Sequence, residues 1–279
     1  MKKELMSLKS SKKPLSNIIQ KDLAIIGDSG FIGSHLKIRL KTKYNYNSGN
    51  IDLFDRNACS LLKHINNVVF LAGDPRIFYY KNDPAACFKN NYEIIRNILC
   101  RDYNHFIFLS TVGVYSDISN YSINKNLGWN ELTNYYGLSK LLSEYEIKTK
   151  LNNYCILRLS TPFGQNMRKG PLFDLLFNNK SYVDKKSKYS FLHIDDICNA
   201  ILHVIDKKLT GCYNLTANNS TAISDLITNQ NSINFISNNY VNYDSDNSDL
   251  VATGWKQKID VKSWFIKQHE NNNDGFKKI

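Results

Sequence analysis

The residues with the clearest capacity for chemistry are Tyr136 and Lys140, which lie four positions apart in the segment YYGLSK. If this segment is helical, residues i and i+4 share one face, so the phenol and the ammonium lie side by side. A tyrosine with a reference pKa of about 10 is a poor acid or base at neutral pH, and a neighbouring cation stabilises its phenolate and lowers that pKa. The pair therefore predicts proton transfer by Tyr136, whereas Tyr135 has no lysine at this spacing.

A second candidate element is the glycine-rich segment GDSGFIG, which follows the apolar run Leu23–Ile26 and precedes a helical pattern. Glycines at such a turn allow a sharp bend, close approach of the backbone to a phosphate, and close packing of the helix on the strand. The N-terminus of the helix adds free N–H groups and a partial positive charge. We therefore predict a cradle for the diphosphate of a dinucleotide, and we expect the side chain of Asp28 to point away from it. The predicted contacts are Gly27, Ser29, Gly30, Phe31, Ile32 and Gly33.

The choice between NAD and NADP depends on an acid that the dinucleotide fingerprint places about 20 residues beyond the loop, where it binds the ribose 2′-hydroxyl. Residues 44–50 contain no acid, and Asp52 and Asp55 come later in the chain. A carboxylate at that place repels a 2′-phosphate, so its absence slightly favours NADP. Lys41 and Lys43 would strengthen that preference.

Short apolar runs alternate with longer helical patterns over most of the chain. Strands that are apolar on both faces are covered on both sides, and their alternation with helices predicts parallel pairing. The expected fold class is therefore α/β, a Rossmann-type doubly wound parallel sheet. The predicted strands are Leu23–Ile26, Val68–Ala72, Phe106–Ser110 and Cys155–Leu159, and the predicted helices are Gly33–Lys41, Asn91–Cys100, Tyr136–Lys150 and Asp195–Lys207. Asp195 and Asp196 are expected to cap the last of these helices.

The alternating pattern weakens beyond about residue 165, where the chain becomes polar, rich in Asn and irregular. We interpret these parts as a smaller, mixed C-terminal substrate lobe. The predicted division is a basic tail at 1–20, a dinucleotide-binding domain at 21–164 plus 190–215, and a substrate-binding lobe at 165–189 plus 216–279.

The formal net charge of +11 favours an anionic partner, such as a sugar diphosphate. The basic residues are scattered and form no aromatic-interleaved basic motif, so we do not expect nucleic-acid binding. No apolar stretch approaches the roughly 18 residues of a membrane span, and the basic N-terminus lacks the apolar core of a signal peptide. We expect a cytoplasmic protein without membrane contact. The six cysteines include no CxxC pair, so we expect reduced thiols and no metal site.

Several motifs, taken together and in order, resemble the extended short-chain dehydrogenase/reductase family, especially its NAD(P)-dependent nucleotide-sugar epimerase/dehydratase group. The resemblance runs from about Lys21 to about Trp264. The motifs are GDSGFIG, VVFLAG, NNYEIIRNIL, FLSTVGVYS, YYGLSK, LRLSTPFG, FLHIDDICNAI and GCYNLT.

This resemblance implies roles for individual residues. Thr111 falls where the family places the hydroxyl that binds the reacting sugar oxygen, Tyr136 matches the acid/base, and Lys140 matches the residue that holds the nicotinamide ribose. Asn91 matches a helix residue near the substrate, although it also suits the start of a helix. The family often dimerises through the two helices that precede and contain the Tyr/Lys pair, so a homodimer is expected. The strand end beside the cofactor corresponds to Leu71, Ala72 and Gly73.

Three departures from the family pattern bear on the substrate. Members that dehydrate sugars carry two acids directly after the threonine, whereas this chain has Val112 and Gly113. Loss of water needs a general acid and a base, so a 4,6-dehydratase is disfavoured. Thr161 replaces a common asparagine, and Tyr189 stands where many members place a diphosphate-binding arginine. The predicted substrate contacts are Asn91, Thr161, Arg168 and Lys188.

The residues and the resemblance together predict hydride transfer between a nicotinamide and a carbon of a nucleotide-activated sugar. Two transfers with a turn of the sugar between them give an epimerase, and a single transfer gives a keto-reductase. The family implies a place in the biosynthesis of surface polysaccharides or deoxysugars. The alternatives are an NADP-dependent reductase of a non-nucleotide carbonyl compound and a non-catalytic dinucleotide-binding sensor.

Overall fold

The computed structural model describes residues 22–42, 44–55, 57–115, 134–227, 233–244 and 246–273. The predicted N-terminal tail and Lys43 lie outside the described residues. The strands are β1 (Leu23–Ile26), β2 (Tyr44–Tyr46), β3 (Asn67–Phe70), β4 (His105–Thr111), β5 (Tyr154–Leu159), β6 (Thr161–Phe163), β7 (Lys180–Ser181), β8 (Lys188–Tyr189), β9 (Phe191–His193), β10 (Gly211–Leu215), β11 (Thr221–Ala222) and β12 (Asn234–Phe235).

Six of these strands form a parallel sheet in the order β10-β5-β4-β3-β1-β2. Successive side chains of a strand point to opposite faces. On β1, Leu23 and Ile25 join the core that contains Leu36 and Ile201, whereas Ala24 and Ile26 join a second core on the other face. Helices therefore cover both faces of the sheet, and the predicted doubly wound α/β fold is confirmed.

Helices fill both layers beside this sheet, and the bounds of most predicted elements shift by one or two residues. The α-helices are Phe31–Leu40, Ala58–Leu61, Ile77–Tyr80, Pro84–Phe88, Ile94–Arg96, Tyr135–Lys150, Pro171–Phe173, Ile194–Lys207, Ser248–Ala252 and Val261–Asn273. Two π-helical turns, Lys89–Glu93 and Asp174–Asn178, and two 3₁₀ turns, Val112–Val114 and Ile223–Asp225, complete them.

The helix predicted at Asn91–Cys100 begins earlier than expected. Asp83 caps its start by accepting a hydrogen bond from the Ala86 N–H at 3.0 Å, and Pro84 occupies the first turn. Helical structure then continues through the π-helical turn to Arg96. Asn91 therefore lies in the middle of the helical segment, which removes its alternative interpretation as a helix start.

The expectation that Asp195 and Asp196 cap the helix Ile194–Lys207 is wrong. His193 caps this helix, because its Nδ1 accepts a hydrogen bond from the Asp195 N–H at 3.1 Å. The Asp195 carboxylate pairs with Arg39, and Asp196 is fully buried. Asp196 accepts hydrogen bonds from two N–H groups of the segment at 258–259 and thereby ties that segment to the helix.

A third core lies outside the central sheet and defines a smaller lobe. Strands β6 and β9 pair with each other, β8 pairs with β11, and β7 pairs with β12. Phe163 and Phe191 belong to this third core, although the predicted division assigns them to the dinucleotide-binding domain. The bounds of the predicted substrate-binding lobe stay a prediction.

Among the described side chains, four cysteines are free: Cys87, Cys155 and Cys198 are buried, and Cys212 is half-buried. Cys100 is disulfide-bonded, so the expectation of six reduced thiols is wrong there. Within the described ranges, no group of three or more His, Cys, Asp or Glu side chains could hold a metal ion. No helix of the described part is long and apolar enough to cross a membrane.

Candidate active site

The glycine loop between β1 and the first helix has no room for side chains at two of its glycines. A Cβ on Gly27, whose φ is +95°, would lie 2.6 Å from the backbone nitrogen of Ala72. A Cβ on Gly33 would lie 2.1 Å from the Gly27 carbonyl oxygen. The helix that begins after Gly30 has no side-chain cap at its N-terminus, so its first N–H groups are suited to an anion. The loop therefore fits the predicted diphosphate cradle.

The chain after β3 passes directly beside this loop, as the contact between Ala72 and Gly27 shows. Leu71 and Ala72 are half-buried, and Gly73 is exposed. Gly73 has a φ of +146°, and a Cβ there would lie 2.7 Å from Oδ1 of Asn91. The structure thus brings the predicted strand end next to the glycine loop.

Asn91 is placed differently from the prediction. Its side chain is fully buried, its Oδ1 accepts a hydrogen bond from the Asp74 N–H at 2.8 Å, and its Nδ2 donates to the carbonyl oxygens of Asp74 and Cys87, both at 3.1 Å. The amide is therefore occupied in fixing the backbone after β3. It positions the loop beside the cleft, and its contact with a substrate stays a prediction.

Tyr136 and Lys140 lie on the helix Tyr135–Lys150, as predicted. Asn134 caps this helix by accepting a hydrogen bond from the Gly137 N–H at 2.7 Å. Lys140 is 3% exposed, and its Nζ donates to the Leu109 carbonyl oxygen at 3.1 Å. The Nζ lies 5.9 Å from the ring centroid of Tyr136, so the ammonium and the phenol share one face of the helix.

The surroundings of Tyr136 and Lys140 shift the pKa of each side chain in the direction that favours its neutral form. Burial lowers the pKa of Lys140 to about 8, an effect that Glu144 partly opposes. Burial also raises the pKa of Tyr136, and Cys87 and Asp74 raise it further. Lys140 alone therefore does not lower the pKa of Tyr136, and a further positive charge near the phenol is needed to do so.

Thr111 ends β4 next to the start of the Tyr136 helix. Its Oγ1 accepts a hydrogen bond from the Gly113 N–H at 3.1 Å, which leaves the hydroxyl proton available for donation. A Cβ on Gly137 would lie 2.0 Å from the Gly113 carbonyl oxygen. Because two glycines meet here backbone to backbone, the helix is seated against the turn that carries Thr111. The three predicted catalytic residues are thus brought to one end of β4.

A buried polar network beneath Lys140 was not predicted. Arg158 is 1% exposed and donates to both carboxylate oxygens of Glu144, at 2.6 and 3.1 Å. Ser110 donates to Glu144 at 2.6 Å, and Arg158 also donates to the Tyr115 hydroxyl at 2.9 Å. The network links β4, β5 and the Tyr136 helix. The signal in the sequence was an arginine inside the apolar run of β5, which requires a buried partner.

The loop after β3 carries a charged pair that the sequence did not indicate. The Asp74 carboxylate accepts a hydrogen bond from Nε of Arg76 at 2.7 Å. Burial lowers the pKa of Lys169, and Asp74 opposes that shift, so Lys169 lies within electrostatic reach of the Asp74 carboxylate. The negative charge of Asp74 also raises the pKa of Tyr136.

The remaining predicted substrate residues lie in or beside the small lobe. Thr161 is half-buried at the start of β6, and Arg168 and Lys188 are exposed. Tyr189 is buried against the rings of Phe191 and Tyr243, so it is a core residue of the lobe. The substrate contacts of Thr161, Arg168 and Lys188 stay predictions.

The glycine cradle, the strand end beside it and the Tyr/Lys helix define a dinucleotide-binding enzyme of the doubly wound class. The chain belongs to the NAD dependent epimerase/dehydratase family, whose model matches residues 23–215. The resemblance inferred from the motifs is therefore confirmed. No curated protein matches the chain by sequence.

Solved structures share the fold over about nine tenths of this chain. RMD from Pseudomonas aeruginosa complexed with NADPH has a TM-score of 0.70 and 20% identity, and covers 89% of this chain and 97% of its own. UDP-glucuronic acid 4-epimerase from Bacillus cereus, in complex with UDP-glucuronic acid and NAD, has a TM-score of 0.73 and 18% identity, with 90% and 99% coverage. The dTDP-glucose 4,6-dehydratase DesIV from Streptomyces venezuelae has a TM-score of 0.70 and 15% identity, with 90% and 98% coverage. At these identities the likeness shows the fold alone.

Proposed function

We propose that this protein is an NAD(P)-dependent epimerase or keto-reductase that acts on the sugar of a nucleotide-activated sugar. The observation that carries the proposal is the burial of the Lys140 ammonium beside Tyr136, at the end of β4 and next to Thr111. A buried ammonium destabilises a fold, and titratable groups with strongly perturbed pKa values cluster at functional sites. Its presence in this cleft therefore supports a catalytic role.

The residues of the glycine loop and of the neighbouring strand end fit a dinucleotide. Gly27 and Gly33 let the backbone of this turn pack closely, and the uncapped helix N-terminus after Gly30 would bind the diphosphate, with Ser29, Phe31 and Ile32 in the same turn. Leu71, Ala72 and Gly73 line the path beyond it, and Tyr136 and Lys140 would hold the nicotinamide ribose. When bound, the nicotinamide supplies the acceptor or donor of a hydride. In its oxidised form the nicotinamide would carry a positive charge, which would stabilise the phenolate of Tyr136 and lower its pKa.

The chain's own residues account for the proton. Thr111 donates a hydrogen bond to the reacting oxygen of the sugar and fixes its position. When a carbinol carbon is oxidised, the hydroxyl proton moves to the phenolate oxygen of Tyr136, and it returns when the ketone is reduced. Lys140 keeps the charge at Tyr136 balanced through both steps. Epimerisation requires both steps with the sugar turned between them, and keto-reduction requires only the second.

A 4,6-dehydratase is not proposed, although one similar structure is a dehydratase. Val112 and Gly113 occupy the 3₁₀ turn after Thr111, and neither can serve as the acid or base that loss of water requires. The ligand of the Bacillus cereus epimerase, UDP-glucuronic acid, supports a nucleotide sugar as the substrate class. The net charge of +11 favours the same anionic class.

The substitution Tyr136→Phe tests the proposal. It removes the phenol oxygen, and general acid–base catalysis typically contributes about 10²–10⁴-fold, so turnover should fall at least about 100-fold while NADH binding persists. Tyr135→Phe is the matched control, because Tyr135 is the neighbouring residue, is 41% exposed and lacks a lysine one turn on. Equal turnover in Tyr136→Phe and the parent protein would refute the assignment.

The substrate class is tested separately by a panel of UDP-, dTDP- and GDP-sugars against free carbonyl compounds. Turnover of the free carbonyls alone would favour the alternative reductase. Mass spectrometry of small molecules that copurify with the protein reports the dinucleotide and the sugar nucleotide together.

The proposed assembly is a homodimer. The helical segment that begins at Pro84 packs against the Tyr136 helix, where Tyr92 donates a hydrogen bond to Glu146 at 2.8 Å. Tyr145 on the second helix is 54% exposed, an apolar surface that a partner copy would cover. Sedimentation equilibrium should give a mass near twice 32.2 kDa, and a monomer at micromolar concentration would contradict the proposal.

A further inference from the structure

The glycine loop places a buried carboxylate at the end of β2, where residues 44–50 themselves contain no acid. Asp28 lies between the first two glycines and is 3% exposed. Its Oδ1 accepts a hydrogen bond from Asn47 Nδ2 at 2.7 Å, and its Oδ2 accepts one from Lys37 Nζ at 2.6 Å. Asn47 directly follows β2. The carboxylate therefore lies at the carboxyl end of β2, although it comes from the loop after β1.

The backbone fixes Asp28 in this position. The N–H groups of Gly27 and Asp28 both donate to the carbonyl oxygen of Tyr46, at 2.7 and 3.2 Å. Burial alone would raise the pKa of Asp28, but the hydrogen bonds from Lys37 and Asn47 outweigh it and lower the pKa. Asp28 is thus a fixed negative charge at neutral pH.

We infer that Asp28 replaces the missing acid of β2 and makes this protein prefer NAD over NADP. In doubly wound folds the adenosine ribose of the dinucleotide lies at the end of this strand, and a carboxylate there selects the free 2′-hydroxyl. A 2′-phosphate would bring up to two further negative charges at pH 7, and like charges repel most strongly where burial lowers the dielectric. This inference rests on the proposed function and reverses the preference for NADP drawn from residues 44–50.

Lys37 does not cancel this effect. Its side chain is 49% exposed, whereas that of Asp28 is 2% exposed. Water and salt therefore screen the ammonium much more than the carboxylate. The carboxylate is also held from two sides, so it cannot move away from an incoming phosphate.

Fluorescence titration of NADH and NADPH, which measures binding without turnover, tests the inference. The parent protein should bind NADH at least about ten-fold more tightly than NADPH. A factor of ten in affinity corresponds to the same free energy as a shift of one pKa unit, which is a typical effect of a neighbouring charge. Asp28→Asn keeps the shape and the hydrogen-bond acceptor but removes the charge, and should reduce the ratio at least about five-fold. Asp52→Asn is the matched control, because this exposed acid lies on the surface after β2, and the ratio should not change.

Lys37→Gln provides a second variant if Asp28→Asn does not fold. It removes the ammonium beside Asp28 at a half-exposed position and should increase the preference for NADH. Tighter binding of NADPH by the parent protein, or an unchanged ratio in both variants, would overturn the inference and leave the proposed function intact. Failure of both dinucleotides to bind the parent protein would instead overturn the proposed function.

Discussion

Replacing Lys140 by Met should make the folded protein more stable at neutral pH, although it removes a proposed catalytic group. Burial lowers the pKa of Lys140 from 10.5 to about 8. At about 1.4 kcal/mol per pKa unit, keeping this ammonium charged below pH 8 destabilises the fold by about 3 kcal/mol. Methionine fills similar space without charge but loses the charge-assisted hydrogen bond to Leu109, which is worth about 1.5–3 kcal/mol. The expected net gain in the free energy of unfolding is up to about 1.5 kcal/mol.

The pH dependence gives this prediction a definite sign. Between pH 8 and about 10.5 the unfolded chain binds more protons at this lysine than the folded protein does. The contribution of Lys140 to stability therefore rises with pH across that window. The Lys140→Met variant lacks this rise, so its advantage should be largest below pH 8 and should shrink as the pH increases.

Urea unfolding of the dinucleotide-free protein at pH 7 and pH 9.5, followed by circular dichroism, measures both effects. Lys150→Met on the same helix is the control. Its side chain is 43% exposed and pairs with Glu146 at 3.2 Å, so its effect should stay within about 0.5 kcal/mol. A Lys140→Met variant that is less stable than the parent protein at pH 7, or a difference that does not vary with pH, would refute the reasoning.

Two further substitutions probe the scaffold of the site. Gly33→Ala forces a Cβ to within 2.1 Å of the Gly27 carbonyl oxygen, so it should lower the free energy of unfolding by roughly 1–3 kcal/mol and weaken NADH binding in a fluorescence titration. Gly30→Ala, whose Cβ would meet its neighbour at 3.5 Å, should fold normally, and equal stability of the two variants would contradict this. Arg158→Met strands the buried carboxylate of Glu144 and should cost about 3–5 kcal/mol in urea unfolding. Adding Glu144→Gln should recover part of that loss, and no recovery would show that the ion pair is not its source.

The fold was largely predictable because the patterns that indicate its strands and helices lie within short segments of the chain. The runs that form β1, β4 and β5 are apolar on both faces, and such runs separated by helical patterns leave few topologies. The helical segment that begins at Pro84 was misplaced because a π-helical turn at Lys89–Glu93 interrupts its 3.6-residue period. The stronger signal lay in the sequence Asp83-Pro84, an N-cap followed by a proline.

The sequence predicted the candidate site only where the reacting side chains are close together in the chain. Tyr136 and Lys140 are one helical turn apart, so their proximity follows from the helix alone. Asp28 meets Asn47 across 19 residues, and Arg158 meets Tyr115 across 43 residues. Such contacts depend on which strands are neighbours, and no pattern within either segment reveals them.

The contact between Gly113 and Gly137 has a consequence for how the pocket can change. The seat of the Tyr136 helix is made of main-chain atoms, with no side chain between the two backbones. This main-chain contact therefore fixes the start of the helix that carries the phenol and the ammonium, and the buried side chain of Val112 packs in the same cluster as Leu141 of that helix. A change of side chains elsewhere in the cleft leaves this contact in place, so the start of the helix should keep its position while other surfaces are redesigned.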